Sequence, residues 1–276
     1  MQGTLALCGT PIGNLGDVSK RLADTLRTAD IVYAEDTRRT SILLGHLGIS
    51  TPLRSMFVGN EKLRAEEIRK RLSLGEFVVV VTDAGMPVVS DPGASAVVAA
   101  EAAGAIVTVI PGPSAVSAAL AASGFTGDRF VFEGFLPRKG RERTTRIAGI
   151  ATDERTVVLF ASPKRLAKDL GDLAAVLGDD RRVVIAREIT KIYEEFWRGD
   201  LGSARDHWLA ANVKGECTIV IEGRPPQPPS LDEALDVVAT MMDGGVRFAE
   251  AVREASAVTG VRRNDVYDAA IDRRDR

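Results

Sequence analysis

The amino-acid sequence predicts an α/β protein with two tandem α/β domains and a small C-terminal helical unit. Three observations predict this fold class. Short β-branched or apolar runs alternate with amphipathic helical patterns, which is typical of βαβ units around a largely parallel sheet. A basic segment near residues 136–140 interrupts this alternation before it begins again. A proline-rich stretch then separates the alternation from helical patterns at the end of the chain.

The candidate strands are the short apolar runs. They occupy residues 5–8, 31–34, 77–81, 106–110, 130–135, 156–161, 183–187 and 217–222. An apolar residue recurs at every fourth position from Val18 to Leu26, and Asp17 is placed to cap the helix that this spacing predicts. A charged helical pattern opens at Asn60 and stops at Gly75. Both patterns predict surface helices that cover a sheet.

The break in the strand pattern at Pro137 predicts a domain boundary. We expect an N-terminal α/β domain over residues 1–137 and a second α/β domain over residues 138–223. The run Arg-Pro-Pro-Gln-Pro-Pro at residues 224–229 predicts a stiff, extended linker.

The last segment of the chain carries helix signals only. Ser230 begins a capping box that Glu233 completes, which predicts the start of a helix. Further helical patterns lie around residues 249–258 and 266–271. Residues 230–276 are therefore expected to form the small helical unit.

Composition excludes several classes of protein. Hydrophobic residues make up 45% and charged residues 27%, which excludes long disordered and fibrous chains. Cys8 and Cys217 are too few for a disulfide scaffold, so we expect a reducing, cytoplasmic environment. These cysteines and the two histidines, His46 and His207, are scattered singly, so we expect no metal site. Without a long apolar run or a signal-peptide pattern, we also expect no membrane span and no processing.

The charge distribution leaves one basic segment to explain. The formal net charge of −2 argues against a protein that coats nucleic acid by bulk electrostatics. Residues 137–146 nevertheless carry five positive charges against one negative charge. Arg138, Lys139, Arg141 and Arg143 in this segment are candidates for contact with a polyanion. A solvated loop or helix face is the alternative interpretation, and the sequence leaves both open.

The candidate binding site lies in the loops that follow strands, because open α/β sheets bind ligands at the carboxyl ends of their strands. Three such loops, at residues 9–17, 81–93 and 110–115, are rich in glycine or proline. The first has neither dinucleotide-fingerprint nor P-loop spacing, so a structural turn is an equal alternative there. The second predicts a rigid loop in which Asp91 is placed as a cap and Asp83 is the stronger functional candidate. The third presents Ser114 beside a helix N-terminus.

In this order and spacing, the three loops resemble the tetrapyrrole methylase superfamily of S-adenosylmethionine enzymes. Their motifs are Gly-Thr-Pro-Ile-Gly-Asn-Leu-Gly-Asp, Asp-Ala-Gly-Met-Pro-x-x-Ser-Asp-Pro-Gly and Pro-Gly-Pro-Ser-Ala. Four further segments narrow the resemblance to members that methylate small-subunit ribosomal RNA. They are Ala-Glu-Asp-Thr-Arg-Arg-Thr (34–40), Glu-Gly-Phe-Leu-Pro-Arg-Lys (133–139), Arg-Glu-Ile-Thr-Lys (187–191) and Lys-Gly-Glu (214–216). The resemblance runs from residue 4 to residue 223, and the C-terminal helices agree more loosely.

The resemblance implies 2'-O-methylation of a cytidine ribose in the decoding region of 16S rRNA, on naked RNA or on the small ribosomal subunit. It also implies a homodimer that holds S-adenosylmethionine in the cleft between its two α/β domains. Motif matching implies cofactor contacts, many of them through backbone groups, at Pro11, Asp83, Gly85, Pro87, Ser114, Phe160, Ala186, Gly215 and Glu216. The run Phe-Ala-Ser-Pro-Lys-Arg at residues 160–165 departs from the usual Tyr-Glu-x-Pro-His-Arg-like run, so contacts at Ala161 and Lys164 are not carried over.

The chemistry of methyl transfer narrows what the site must provide. The leaving group is a neutral thioether, so alignment of nucleophile, carbon and sulfur matters most. A ribose hydroxyl is a weak acid, so a base or a stabiliser of the developing oxyanion is expected. Glu35, Asp36 and Lys191 are the candidate catalytic residues, each just after a strand, although Asp36 is equally placed to cap a helix. Glu194 and Glu195 follow Lys191 and are equally consistent with a solvated turn; the sequence does not choose a base.

Two other functions remain as alternatives. One is methylation of a corrinoid or porphyrin precursor, as other superfamily members perform. Arg38, Arg39 and the basic segment favour RNA phosphates over a flat macrocycle. The other is a non-catalytic RNA-binding module, which gives no reason for three stiff loops at strand ends.

Overall fold

The structure is a computed structural model that describes residues 2–210, 213–225 and 230–274. The chain divides into two compact units, Met1–Arg224 and Pro225–Arg276. The first unit contains two five-stranded sheets, and the second contains three helices. The predicted linker falls mainly on residues 226–229, which lie outside the described residues. The predicted α/β fold class with a C-terminal helical region is confirmed.

The first sheet is parallel throughout, with the strand order β3-β2-β4-β1-β5. Its strands are β1 (Thr4–Cys8), β2 (Ile31–Ala34), β3 (Leu53–Ser55), β4 (Phe77–Val81) and β5 (Ile106–Ile110). The central strand β4 is buried on both faces, which explains its uninterrupted run of valines. Strand β3 was not predicted because it has three residues, none of them buried, and therefore no apolar run.

Helices cover both faces of the first sheet. They are α1 (Lys20–Thr28), α2 (Thr37–His46), α3 (Glu61–Ser73) and α4 (Ala94–Ala102), and a fifth helix, α5 (Ala115–Ser123), follows β5. Leu22 and Leu43 of α1 and α2 pack on one face, and Ile68 and Ala99 of α3 and α4 pack on the other. Helix α5 instead packs against the second sheet, where its Ala119 is fully buried.

Two predicted helix caps are corrected by the structure. Helix α1 is capped by Ser19, whose Oγ accepts the Leu22 N–H at 3.1 Å, while Asp17 lies in a preceding 3₁₀ turn. Asn60 does precede α3, but its Oδ1 accepts the N–H of Phe57 at 2.8 Å. The Asn60 side chain therefore organises the loop before the helix, and neither Asp17 nor Asn60 caps a helix through its side chain.

The second sheet is mixed, so the prediction of largely parallel sheets is wrong here. Its strands are β6 (Phe130–Phe135), β7 (Thr156–Ala161), β8 (Arg182–Arg187), β9 (Glu195–Asp200) and β10 (Cys217–Ile221), in the order β6-β7-β10-β8-β9. Only β6 and β7 are parallel. The seven residues 188–194 between β8 and β9 are too few for a helical crossover, and they form an antiparallel connection instead. Strand β9 was missed because its sequence is largely polar.

The helices of the second sheet are α6 (Arg141–Thr152), α7 (Leu166–Leu177) and α8 (Leu201–Leu209). Together with the sheet they enclose the largest apolar core of the described residues, which includes Leu159, Leu170 and Trp208. The change of sheet falls between β5 and β6, earlier than the boundary expected at residue 137. The division into domains at that residue stays a prediction.

The second unit is a three-helix arrangement with its own core. Its helices are α9 (Leu231–Asp243), α10 (Phe248–Thr259) and α11 (Arg263–Arg274). Val238, Val252 and Val266 supply one buried residue from each helix. The Oγ of Ser230 accepts the N–H of Glu233 at 3.3 Å, as the capping box predicts. Across the described residues, no helix is long and apolar enough to cross a membrane.

Candidate methyltransferase site

A cavity of about 430 Å³ opens between the carboxyl ends of the first sheet and residues of the second. This volume lies within the range of small-molecule sites. Glu35 and Arg39 enter it after β2, the loop after β4 supplies residues 83–86 and 89–91, and Ser114 follows β5. The second sheet contributes Phe135, Phe160–Pro163, Ile189 and Glu216–Thr218.

Glycines allow the loops after β1, β4 and β5 to meet beneath this cavity. A Cβ on Gly112 would lie 2.6 Å from the carbonyl oxygen of Gly9, so the two loops touch through backbone. Thr10 and Gly85 exchange two backbone hydrogen bonds, at 2.9 and 3.1 Å. Gly85 has φ +84°, a conformation that other residues rarely adopt. The glycines of the first loop therefore have a packing role, which supports the interpretation as a structural turn.

The loop after β4 is strained and is tied by hydrogen bonds near both of its ends. Val88 and Ser90 have φ +75° and +69°, which costs about 1–3 kcal/mol for each such residue. The Val88 N–H donates to the Pro92 carbonyl at 3.3 Å, and the Gly93 N–H donates to Glu61 Oε1 at 3.2 Å. The fold thus holds this loop in one conformation against the cavity.

Four carboxyl groups line the cavity, and three of them, Glu35, Asp83 and Asp91, come from the loops after β2 and β4. Asp83 Oδ1 accepts the Asp36 N–H at 2.8 Å, and Asp83 Oδ2 lies 3.6 Å from Arg39 Nε. Glu35 and Asp91 are within hydrogen-bonding reach of each other. Burial, followed by the charge of Glu35, raises the pKa of Asp91 to about 7. Burial, followed by the charge of Asp83, raises the pKa of Glu35.

Asp91 is the site residue that sequence reasoning missed. Its position before a helix predicted a capping role, but Gly93 occupies the residue before α4, and the side chain of Asp91 faces the cavity. The available signal was spacing, because Asp91 precedes the first helical residue, Ala94, by three positions instead of one.

Five of the predicted cofactor residues line the cavity: Asp83, Gly85, Ser114, Phe160 and Glu216. Pro11 lies instead in an adjoining pocket of about 130 Å³, which shares Arg39 and Asp83 with the main cavity. Pro87 and Ala186 are buried, and Gly215 packs against the Glu188 side chain. Their contacts with a cofactor stay predictions.

Lys191 lies in an ion-pair network at the connection between β8 and β9. Its Nζ is 2.8 Å from Glu188 Oε1 and 2.9 Å from Glu216 Oε2. The alternative of pairing with Glu194 or Glu195 is wrong. Glu194 Oε2 accepts the Thr190 N–H at 2.6 Å, and Glu195 pairs with Arg187 at 2.9 Å.

The surroundings of Lys191 connect it to the site. A Cβ on Gly13 would collide with the Lys191 side chain, so the loop after β1 leaves room for this lysine. Glu188 and Thr190, on either side of Ile189, have φ +53° and +68°. The network therefore fixes Glu216, which lines the cavity, and a direct catalytic role of Lys191 stays a prediction.

Asp36 acts as the cap of α2. Its Oδ1 accepts the Arg38 N–H at 2.9 Å, and its Oδ2 lies 2.6 Å from Arg38 Nη2. These hydrogen bonds from Arg38 lower the pKa of Asp36 to about 2. A carboxylate this acidic is a weak proton acceptor, which favours the capping interpretation over the catalytic one.

The basic segment separates into exposed and buried residues. Arg138, Lys139 and Arg141 are exposed. Arg143 is buried, and its guanidinium lies 2.9 Å from Asp169 and 2.6 Å from Asp172. The predicted RNA contact of Arg143 is therefore corrected, because the fold uses this side chain as an internal ion pair. Across the described residues, no group of three or more His, Cys, Asp or Glu side chains is arranged to hold a metal ion.

The fold is shared with solved structures of methyltransferases. The structure superposes on the methyltransferase CobJ with a TM-score of 0.63 at 19% identity, covering 83% of this chain and 98% of that one. A diphthine synthase structure gives a TM-score of 0.62 at 16% identity, covering 80% and 90%. At these identities the likeness concerns the fold alone.

Sequence comparison identifies the family. Residues 4–205 match the family model described as Tetrapyrrole (Corrin/Porphyrin) Methylases. A Synechocystis protein named ribosomal RNA small subunit methyltransferase I is 41% identical over 98% of both chains. Proteins of the same name from Thermotoga maritima and Mycobacterium tuberculosis are 46% and 44% identical, over 80% and 99% of this chain and 99% and 96% of theirs. The chain therefore belongs to the ribosomal RNA small subunit methyltransferase I family of the tetrapyrrole methylases.

Proposed function

We propose that this protein transfers a methyl group from S-adenosylmethionine to the ribose 2'-hydroxyl of a cytidine in the decoding region of 16S rRNA. The name shared by the relatives supports methyl transfer to small-subunit ribosomal RNA. The cytidine and its 2'-oxygen rest on the resemblance of the sequence motifs. The observation that carries the proposal is the cavity at the strand ends, which combines an apolar wall with four carboxyl groups.

The residues of the cavity fit S-adenosylmethionine. When bound, this cofactor supplies an activated methyl group on a positively charged sulfur. The apolar side chains of Ile12, Met86 and Phe160 suit an adenine ring, and the carboxyl groups of Asp83 and Glu35 suit a cationic ligand. Of the predicted contacts, Asp83, Gly85, Ser114, Phe160 and Glu216 would hold the cofactor.

The protein's own residues mainly position the reactants. The loop after β4 is fixed by its backbone hydrogen bonds, so its polar groups are preorganised before any ligand binds. Phe135 and Phe160 pack together with ring centroids 5.5 Å apart and limit the access of water to the apolar side of the cavity. Such positioning converts a bimolecular methyl transfer into an aligned, effectively unimolecular step.

The exposed part of the basic segment is the proposed RNA contact. Arg138, Lys139 and Arg141 follow closely after Phe135, which lines the cavity. Arg39, whose side chain is 59% exposed, lies at the cavity itself. Cations in these positions suit phosphates on either side of a nucleotide whose ribose enters the site.

We also propose that the protein is a homodimer that works in the cytoplasm. Strand β5 is an edge strand of the first sheet, and Ile106, Val107 and Val109 on it are all exposed. A second copy of the chain would cover this apolar edge. Sedimentation velocity tests the dimer, since Val107→Asp with Val109→Asp should convert it to a folded monomer.

Cys8 and Cys217 are buried free thiols, as suits a reducing compartment.

One experiment tests the proposed function directly. The protein and methyl-labelled S-adenosylmethionine are incubated with small subunits, or with deproteinised 16S rRNA, from cells that lack this protein. We expect label on one ribose 2'-oxygen in the decoding region. Label on a base, or none on either RNA, would contradict the proposal. Turnover of a porphyrin or corrinoid precursor would support the alternative enzyme, and cofactor binding without turnover would support an RNA-binding module.

A further inference from the structure

Four carboxyl groups line the cavity, and two of them are already engaged by other groups. Asp83 accepts the Asp36 N–H and lies beside Arg39, and Glu216 is paired with Lys191. The other two, Glu35 and Asp91, lie within hydrogen-bonding reach of each other, and Asp91 also lies within reach of Thr82. Among the described residues neither of these two forms an ion pair, so this pair is the candidate to receive a proton from a ligand.

The fold holds the two carboxyl groups together from separate elements. Glu35 follows the last residue of β2, a strand that is buried along its whole length. Asp91 lies between Ser90, with its strained φ of +69°, and Pro92, in the loop tied to Glu61 through Gly93. The buried strand and the tied loop hold both backbones in place. The structure therefore imposes the proximity of the two carboxyl groups.

The charged groups around the pair favour one shared proton. Asp91 faces Glu35 from the loop after β2, and Asp83 and Thr82 from the loop after β4. Glu35 faces Asp83, Asp91, Asp36 and Arg39. Burial and the like charge of Glu35 raise the pKa of Asp91 to about 7, so the group changes its protonation state near neutral pH.

We propose that Asp91, held in place by Glu35, is the base that accepts the proton of the attacking ribose hydroxyl. This inference rests on the proposed function. The O–H bond of the hydroxyl breaks and its proton moves to an Asp91 carboxylate oxygen, while the ribose oxygen forms a bond to the methyl carbon. The carbon–sulfur bond of the donor breaks, and its electron pair stays on sulfur as a neutral thioether. Asp91 then releases the proton to water.

The role of Glu35 is positioning and tuning. Its negative charge makes Asp91 a stronger base than an isolated aspartate, because the neighbouring charge disfavours ionised Asp91. A base whose pKa lies near the working pH is both ionised often enough and basic enough to assist proton removal. Asp36 lacks this property because Arg38 keeps it ionised as a helix cap.

The test compares Asp91→Asn, Glu35→Gln and the double variant with the parental protein and with Glu154→Gln. Glu154 is an exposed residue near the start of β7, at the end of the strand opposite the cavity, and it serves as the matched control. Single-turnover methylation of small subunits is measured on both sides of pH 7. Folding is checked by thermal melting, and cofactor affinity by calorimetry.

We expect the parental rate to rise with pH through about 7. Asp91→Asn should lower the rate by about 10² or more and abolish this rise, while cofactor affinity changes by less than about threefold. Glu35→Gln should move the midpoint of the profile to lower pH. The double variant should be no slower than Asp91→Asn, because the two groups act as one unit.

A ligand-free measurement supplies the second readout. Carbon-13 NMR of the labelled Asp91 carboxyl should show a titration near pH 7, which Glu35→Gln moves to lower pH. A folded Asp91→Asn variant that methylates at the parental rate would overturn the assignment of the base, as would titration of Asp91 near 3.8. Failure of the parental protein to methylate RNA would overturn the proposed function itself, so the two failures are distinguishable.

Discussion

The carboxylate of Asp83 accepts a hydrogen bond from the backbone N–H of Asp36, with Asp83 Oδ1 2.8 Å from the nitrogen. The two residues follow β4 and β2, which are neighbours in the first sheet. Asp83 therefore joins the ends of two strands and at the same time presents a negative charge to the cavity. These two roles separate experimentally.

Asp83→Ala is expected to weaken the binding of S-adenosylmethionine by about 1–3 kcal/mol, because it orphans the Asp36 N–H and removes the charge. Asp83→Asn retains an oxygen that can accept this N–H, so its effect reports the charge alone. Isothermal titration calorimetry measures both. Unchanged affinity in a folded Asp83→Ala protein would remove Asp83 from the cofactor site.

Asp91→Asn is expected to stabilise the folded protein increasingly as pH rises. The pKa of Asp91 is raised from 3.8 to about 7 on folding, so the folded state holds this proton more tightly than the unfolded chain. The stability associated with the proton is lost between these two pH values, and the gain from asparagine should grow across that window and then level off. At 1.36 kcal/mol per pKa unit, the gain is at most about 4 kcal/mol. Urea unfolding at several pH values checks it, and a pH-independent difference would contradict it.

Arg143→Ala is expected to destabilise the protein by about 3–5 kcal/mol, since it removes a buried guanidinium and leaves the buried carboxylate of Asp169 with Arg165 alone, at 3.2 Å. Arg141→Ala is the matched control, because Arg141 is exposed two residues earlier; its effect should stay within about 0.5 kcal/mol. Urea unfolding measures both free energies. Equal effects of the two substitutions would show that the Arg143 pair contributes nothing to stability.

Replacing Arg138, Lys139 and Arg141 together by alanine is expected to weaken RNA binding and to flatten its dependence on salt. Each lost phosphate contact should reduce the slope of log K against log salt by about 0.7–0.9. Cofactor affinity should not change. The control removes three basic residues from α3: Lys62, Arg69 and Lys70. If the slope of the test variant stays at the parental value, the segment is only a solvated surface.

Lys191→Ala is expected to lower kcat by about 10² or more with little change in cofactor affinity, if the ammonium stabilises the developing oxyanion. The ion pair with Glu216 suggests the control, because Lys191 also neutralises that carboxylate. Adding Glu216→Gln to Lys191→Ala should not restore the rate. Single-turnover kinetics measure the methylation rate of both variants. Recovery of this rate in the double variant would make Lys191 a positioning residue.

Local patterns in the sequence determined much of this protein. Eight of the ten strands were predicted within about one residue, because each is an apolar run of the length that a buried strand requires. The loops after β1, β4 and β5 were recognisable because glycine and proline limit the backbone. The same loops carried the resemblance to the family.

Tertiary structure decided how distant residues pair. In the sequence, Arg143 is one of several positive charges in a basic segment. Only the packing of α6 on α7 buries it against Asp169. Strand β9 is polar and becomes a strand by pairing with β8. The position of Asp91 in the sequence predicts a helix cap. Only the adjacency of β2 and β4 brings its loop close to Glu35. A carboxyl group becomes a base through its neighbours and its burial, and those properties arise when segments far apart in the chain come together.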